Sequence, residues 1–114
     1  MKRLAGLAEF IYIVRRNGFD RDIVYIELKR RKQEIYYHKA NYEVDFLITE
    51  NYQVSEIIQV SYSNLEDEET YDREMNGVLE AMDTYKLTSS LILTKNLSDI
   101  KKIRGKKIIF KPLF

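Results

Sequence analysis

Four positions carry the chemistry this sequence could perform: Glu27, Asp45, Gln59 and Ser61. Glu27 follows Ile23 and Val24 by four and three residues, so it sits beside an apolar helical stripe, where a carboxylate must be paired or functional. Arg30 and Arg31, three and four residues further on, are partners within reach on the same helix. Asp45 lies between Val44 and Phe46 in a strand pattern, a setting from which Asp is depleted. If residues 51–53 form a three-residue loop, each cross-strand pair adds to 104. Phe46 then meets Ile58, Leu47 meets Ile57, Val44 meets Val60, and Asp45 faces Gln59 with Cβ atoms roughly 5 Å apart. A two-residue loop would set Asp45 against Ile58 and mix the faces. Ser61 falls one pleat beyond Gln59 on the same face. A carboxylate and an amide oxygen at that spacing can hold a hard cation such as Mg²⁺, with Glu27 as a further ligand. They serve equally as a hydrogen-bonded Asp–Gln pair at a sheet surface.

Composition removes other chemistries. The 114 residues contain no cysteine, which excludes disulfides, thiolate zinc sites and cysteine nucleophiles, and one histidine, His38, which leaves no Ser-His-Asp or His-rich metal arrangement beyond one candidate. His38, at a strand end, is read as a surface or hydrogen-bonded residue without a role of its own. No glycine-rich phosphate loop exists: Arg104-Gly105-Lys106-Lys107 lacks the upstream glycine and the Ser/Thr, so the chain is not an ATPase by itself. No apolar run approaches the roughly 20 residues that cross a bilayer, and Met1-Lys2-Arg3-Leu4 soon meets Glu9 and Arg15-Arg16. The expectation is a cytoplasmic protein without membrane contact.

The net charge of +1 conceals segregation: residues 1–40 carry ten Lys/Arg against five Asp/Glu, 41–85 one against twelve, and 86–114 eight against one. Two basic segments around an acidic middle point to an anionic partner only if they share a face; a solvated surface accounts for them equally.

The elements that must position these residues follow from periodicity. Leu4, Leu7, Ala8, Ile11 and Val14 predict a helix over about 4–16, ended by Asn17-Gly18. Asp20 or Asp22 caps a second helix through Leu28, with Lys29-Arg30-Arg31-Lys32 in its last turn. The period then changes to two over 35–38, 44–48 and 57–62, giving three strands. Ser63-Asn64-Leu65-Glu66 offers a capping box for a third helix with the stripe Tyr71, Met75, Val78, Met82, Tyr85, read as core packing on a sheet. Leu91-Ile92-Leu93 reads as a strand covered on both faces, and Lys107-Ile108-Ile109-Phe110 as the last strand before Pro112. The result is one domain, 1–114, with an extra N-terminal helix in 1–18 and a core in 19–114. It is an α/β fold of mixed sheet flanked by helices in the order α-α-β-β-β-α-β-β.

A helix bearing Glu27, a hairpin bearing Asp45, then Gln59-Val60-Ser61, a helix and a further strand resemble the restriction-endonuclease-like PD-(D/E)xK nuclease superfamily, to which archaeal Holliday-junction resolvases and many restriction enzymes belong. More closely, Ile23-Val24-Tyr25-Ile26-Glu27-Leu28-Lys29-Arg30-Arg31, Tyr36-Tyr37, Glu43-Val44-Asp45-Phe46, Ile57-Ile58-Gln59-Val60-Ser61-Tyr62, Glu69-Thr70-Tyr71-Asp72-Arg73-Glu74 and Leu91-Ile92-Leu93-Thr94 resemble the C-terminal domain of unknown function attached to bacterial and archaeal AAA-type P-loop ATPases. The resemblance covers roughly residues 20–113, ending near Lys111-Pro112-Leu113. It implies a nuclease-like fold with the motif Glu on Glu27 and the motif Asp on Asp45. Gln59 stands where the nucleases carry Asp or Glu, and Ser61 where they carry the catalytic lysine. An amide makes a weaker Mg²⁺ ligand than a carboxylate, and serine supplies no positive charge to orient water or stabilise the transition state.

The resemblance also implies an ATPase domain, acting in cis or as a separate chain; a fragment, an excised piece and a stand-alone derivative all fit. Three functions follow. The first is a degenerate nuclease-like module that binds DNA or a partner without cutting, using basic residues such as Lys29, Arg30, Arg31 and Lys32 and the cations of 101–107. The second is an active Mg²⁺-dependent endonuclease using Glu27 and Asp45 with a lysine relocated to Lys29 or Lys39. The third is a regulatory or assembly domain for an ATPase, with the acidic third helix and tyrosines as interface.

Overall fold

A computed structural model describes residues 6–18, 20–61 and 65–113. Its elements are α1 (Leu7–Arg16), α2 (Arg21–Arg30), β1 (Glu34–Lys39), β2 (Glu43–Glu50), β3 (Gln53–Val60), α3 (Glu68–Tyr85), β4 (Ser89–Thr94), β5 (Asp99–Ile103) and β6 (Lys106–Pro112). The six strands form one mixed sheet in the order β1-β2-β3-β4-β6-β5. The α/β class and the expected element order hold, with β5 added. That strand is almost wholly exposed, so it offers none of the apolar alternation that marks the others.

Local chemistry sets the boundaries. Gly6, at φ 68°, caps α1 at a start three residues later than expected, Leu4 lying outside the described residues. Asp20 caps α2 by accepting from the Asp22 amide. Lys32, at φ 59°, ends that helix, its amide donating to Lys29 and that of Gln33 to Leu28. Asp67 caps α3 through the Thr70 amide. The cap is therefore not Ser63, which lies outside the described residues, as does Tyr62 of the expected third strand.

The sheet separates two cores. Phe46, Ile48, Ile58, Val60 and Leu93 pack against Phe10 and Val14 of α1 and Val24 and Leu28 of α2. Leu47, Ile57, Ile92, Ile108 and Phe110 pack on the other face against Met75, Val78 and Met82 of α3. Tyr71 stacks on Phe110 with centroids 5.9 Å apart. The central strands β3, β4 and β6 run parallel, and α3 makes the crossover between β3 and β4. Leu91-Ile92-Leu93 is accordingly the strand covered on both sides.

The hairpin register is half as expected. Phe46 pairs with Ile58 and Leu47 with Ile57, but Thr49 pairs with Val54 and Glu50 with Gln53, so the loop is two residues, not three. Asn51 and Tyr52, at φ 54° and 66°, form the turn. Ser55 is the extra residue of a bulge, its hydroxyl donating to the Ile48 carbonyl. The bulge restores the register that a two-residue turn alone would have shifted. Val44 and Val60 do not pair: Val44 faces α3 and Val60 faces α1 and α2. No helix among the described residues is long and apolar enough to cross a membrane.

Candidate functional site

Beyond the Phe46–Ile58 pair, toward the start of β2, side chains replace the main-chain ladder. Asp45 donates its amide to Gln59 Oε1 at 2.8 Å, and Asp45 Oδ2 accepts from the Val60 amide at 3.0 Å. Each residue's side chain thus satisfies the opposite strand's backbone, and the strands part around the pair. Sequence register brings Asp45 and Gln59 together correctly, but as interlocking caps rather than as two oxygens side by side.

The remaining valences are also filled. Asp45 Oδ1 lies 3.0 Å from Arg21 Nε, in the first turn of α2. Gln59 Nε2 donates to Glu74 Oε2 of α3 at 3.0 Å. Burial pushes the Asp45 carboxyl above its ordinary range. The Val60 amide and Arg21 oppose that shift, while Glu74 and Glu43 reinforce it. These groups line a cleft of about 340 Å³ whose cations are Arg21 and Arg73.

Glu27 takes no part in that cleft. It is 4% exposed, and its two oxygens accept from Arg30 Nη1 and Arg31 Nε, each at 2.9 Å. Arg31 also reaches Glu9 at 3.6 Å and lies 5.4 Å over the Phe10 ring. Glu27 stands six residues beyond Arg21, about 9 Å further along the helix axis, and it pins α2 against α1. Of the run Lys29, Arg30, Arg31, Lys32, the two arginines are therefore joined to Glu27, whereas the two lysines are exposed.

Ser61 is buried at the end of β3, its amide donating to the Leu93 carbonyl, and it is not among the residues lining the cleft. Neither are Lys29 and Lys39. Among the described residues no group of three or more His, Cys, Asp and Glu side chains is placed to hold a metal ion.

Two features escape sequence reasoning. Glu74 follows Tyr71 by three residues and precedes Val78 by four, so it shares the sheet-facing side of α3, a signal present but unread. His38 is buried, with Nδ1 3.0 Å from the Tyr85 hydroxyl and Nε2 3.0 Å from Glu80 Oε1. Glu80 also accepts from the amides of Asn41 and Tyr42, fastening the β1–β2 turn onto α3. Partners 42 and 47 residues away in the chain leave no local trace.

Fold and site together define an α/β protein in which a mixed sheet splays around a pair formed by half-buried Asp45 and buried Gln59. No family model, curated protein or solved structure matches the chain.

Proposed function

We propose that this chain is a nuclease-like module of the PD-(D/E)xK type that binds nucleic acid without cutting it, as the C-terminal domain of an AAA-type ATPase or a derivative of one. The element order, the parallel crossover through α3 and an acidic residue where the hairpin strands part support the nuclease-like reading. The observation that carries the loss of cleavage is the saturation of the pair. Asp45 is held by Arg21 and the Val60 amide, and Gln59 by the Asp45 amide and Glu74, so a divalent ion gains a ligand only by breaking bonds already made. Among the described residues the cations lining the cleft are arginines, with no lysine to supply the missing charge beside an attacking water.

The test pairs calorimetric titration of Mg²⁺ and Mn²⁺ with incubation of supercoiled plasmid and branched DNA, alongside fluorescence anisotropy on a mixed-sequence duplex. The reading expects no saturable metal binding to millimolar concentration, intact DNA, and duplex binding at low salt that weakens steeply as salt is added. Mg²⁺-dependent cleavage lost in Asp45→Ala but kept in Ser61→Ala would establish the endonuclease instead. Absence of duplex binding at low salt would leave the regulatory or assembly role for an ATPase.

A further inference from the structure

The two strands furthest from α1 and α2 present opposite electrostatics on their two faces. Alternation places Asp99, Lys101, Ile103, Lys106, Ile108 and Phe110 toward α3, and Ile100, Lys102, Lys107, Ile109 and Lys111 on the other side. On the α3 side the cations are matched: Lys101 lies 3.6 Å from Asp99, and Lys106 lies 2.7 Å from Asp83 of α3. On the other side neither strand carries a carboxylate, and among the described residues no ion pair joins Lys102, Lys107 or Lys111.

That second face is open. Ile100 is 55% exposed, Lys102 and Lys111 are exposed, and Ile109 and Lys107 are half-buried. Lysines on an edge strand commonly guard against edge-to-edge pairing, and this would account for Lys102 on β5. It does not account for Lys107 and Lys111, because β6 is paired on both sides, by β4 and by β5.

We infer that this face of the β5–β6 hairpin is the surface on which the chain seats a nucleic-acid backbone, with Lys102, Lys107 and Lys111 as the phosphate contacts. The inference rests on the nucleic-acid-binding reading above and names its surface. Lys102 stands directly across from Lys107, and Lys111 lies four residues along the strand, about 13 Å away. Three ammonium groups on flexible stems over that length match the phosphates of one duplex strand, spaced about 3.4 Å apart along the axis. Among the described residues of β5 and β6 no aromatic side chain lies on this face, so these strands offer nothing there to stack on unpaired bases. The contact follows charge, not sequence, and it lies away from the Asp45 cleft.

The measurement is anisotropy of a fluorescent mixed-sequence duplex across a salt series, comparing wild type with Lys102→Gln/Lys107→Gln/Lys111→Gln and with the three lysines changed to arginine. Three phosphate contacts contribute about 2.7 to the slope of log K against log salt, so a fourfold rise in salt weakens that part of binding about 40-fold. The glutamine variant is expected to lose a slope of that size and the arginine variant to keep it, both unfolding thermally like wild type. The single Lys111→Gln variant is expected to lose about 0.9. An unchanged slope in the glutamine variant, with wild type binding normally, overturns this surface while leaving the module a DNA binder. So does a slope lost only in Lys29→Gln/Lys32→Gln. Wild type that ignores the duplex at low salt overturns both readings, including when it binds phosphatidylserine vesicles or an acidic peptide.

Discussion

Arg21 Nε and Asp45 Oδ1 lie 3.0 Å apart, an ion pair that ties the first turn of α2 to the beginning of β2. The same carboxylate accepts from the Val60 amide, so Asp45 anchors a helix and a neighbouring strand at once. Asp45→Ala leaves that amide without its acceptor, and the expected loss is about 1–3 kcal/mol by urea denaturation. Asp45→Asn keeps an oxygen for Val60 and gives up an ion pair whose arginine is half in water, so its loss should stay within about 1 kcal/mol. Equal losses in the two variants would show that the Val60 bond is not what matters.

The pH dependence of that pair has a definite sign. Burial, the largest influence, raises the folded Asp45 carboxyl above its ordinary value of 3.8. The folded state therefore takes up a proton at a pH where the unfolded chain has not yet done so. Protonation stabilises, and the contribution of Asp45 grows as pH falls from the raised value toward 3.8. Stability of wild type minus that of Asp45→Asn should rise across this window on acidification and level off below it. A difference that falls instead would mean that Arg21 and the Val60 amide outweigh burial.

What could be read in advance was whatever depends on near neighbours in the chain. The Asp20 cap, the α3 stripe and the pairing of Phe46 with Ile58 all follow from spacing, and Arg30 and Arg31 on Glu27 follow from one helical turn. The errors arose where one local signal was masked by another. The faces exclude a two-residue turn only if both strands run without interruption, and the Ser55 bulge cancels the one-residue shift that such a turn produces. Glu74 and Glu80 meet Gln59 and His38 only because α3 crosses the sheet, which no local pattern specifies.

The turn itself is improvable. Tyr52 is fully exposed, so its side chain makes no packing contribution, yet its backbone holds φ at 66°. Tyr52→Gly removes the left-handed penalty of roughly 1–2 kcal/mol and adds part of it back as chain entropy. A net gain of up to about 1 kcal/mol is expected, since Asn-Gly is the favoured pair for such a turn. Unchanged or lower thermal stability would argue against strain at this position.

At Gly77 α3 passes close to the start of β2: a Cβ there would meet the Glu43 carbonyl oxygen at 3.3 Å and Tyr42 Cβ at 3.6 Å. The helix continues through this glycine because the close contact requires it, despite its low helix propensity. Gly77→Val adds branched bulk against backbone that cannot swing aside, at an expected loss of about 1–3 kcal/mol. Glu74, one turn earlier, moves with the helix, so the Gln59 side-chain amide should shift in an NMR spectrum. A tolerated valine with an unmoved Gln59 signal would contradict this packing.

The Glu80 carboxylate behaves opposite to Asp45. Its bond with His38 is the largest influence and holds it below its ordinary value of 4.5; burial opposes, and the Tyr42 and Asn41 amides assist. Its contribution is therefore present above 4.5 and is lost as pH falls through the lower folded value. The stability of wild type minus that of Glu80→Gln should shrink on acidification, where the Asp45 difference grows. Hydrogen exchange gives an independent readout, because the Asn41 and Tyr42 amides donate to Glu80 at 3.2 and 3.1 Å. In Glu80→Ala those two amides should exchange faster while the Ile57 and Ile58 amides in β3 hold their protection. If all four accelerate together, Glu80 supports the whole domain; if none does, the turn is held by β1 and β2 alone.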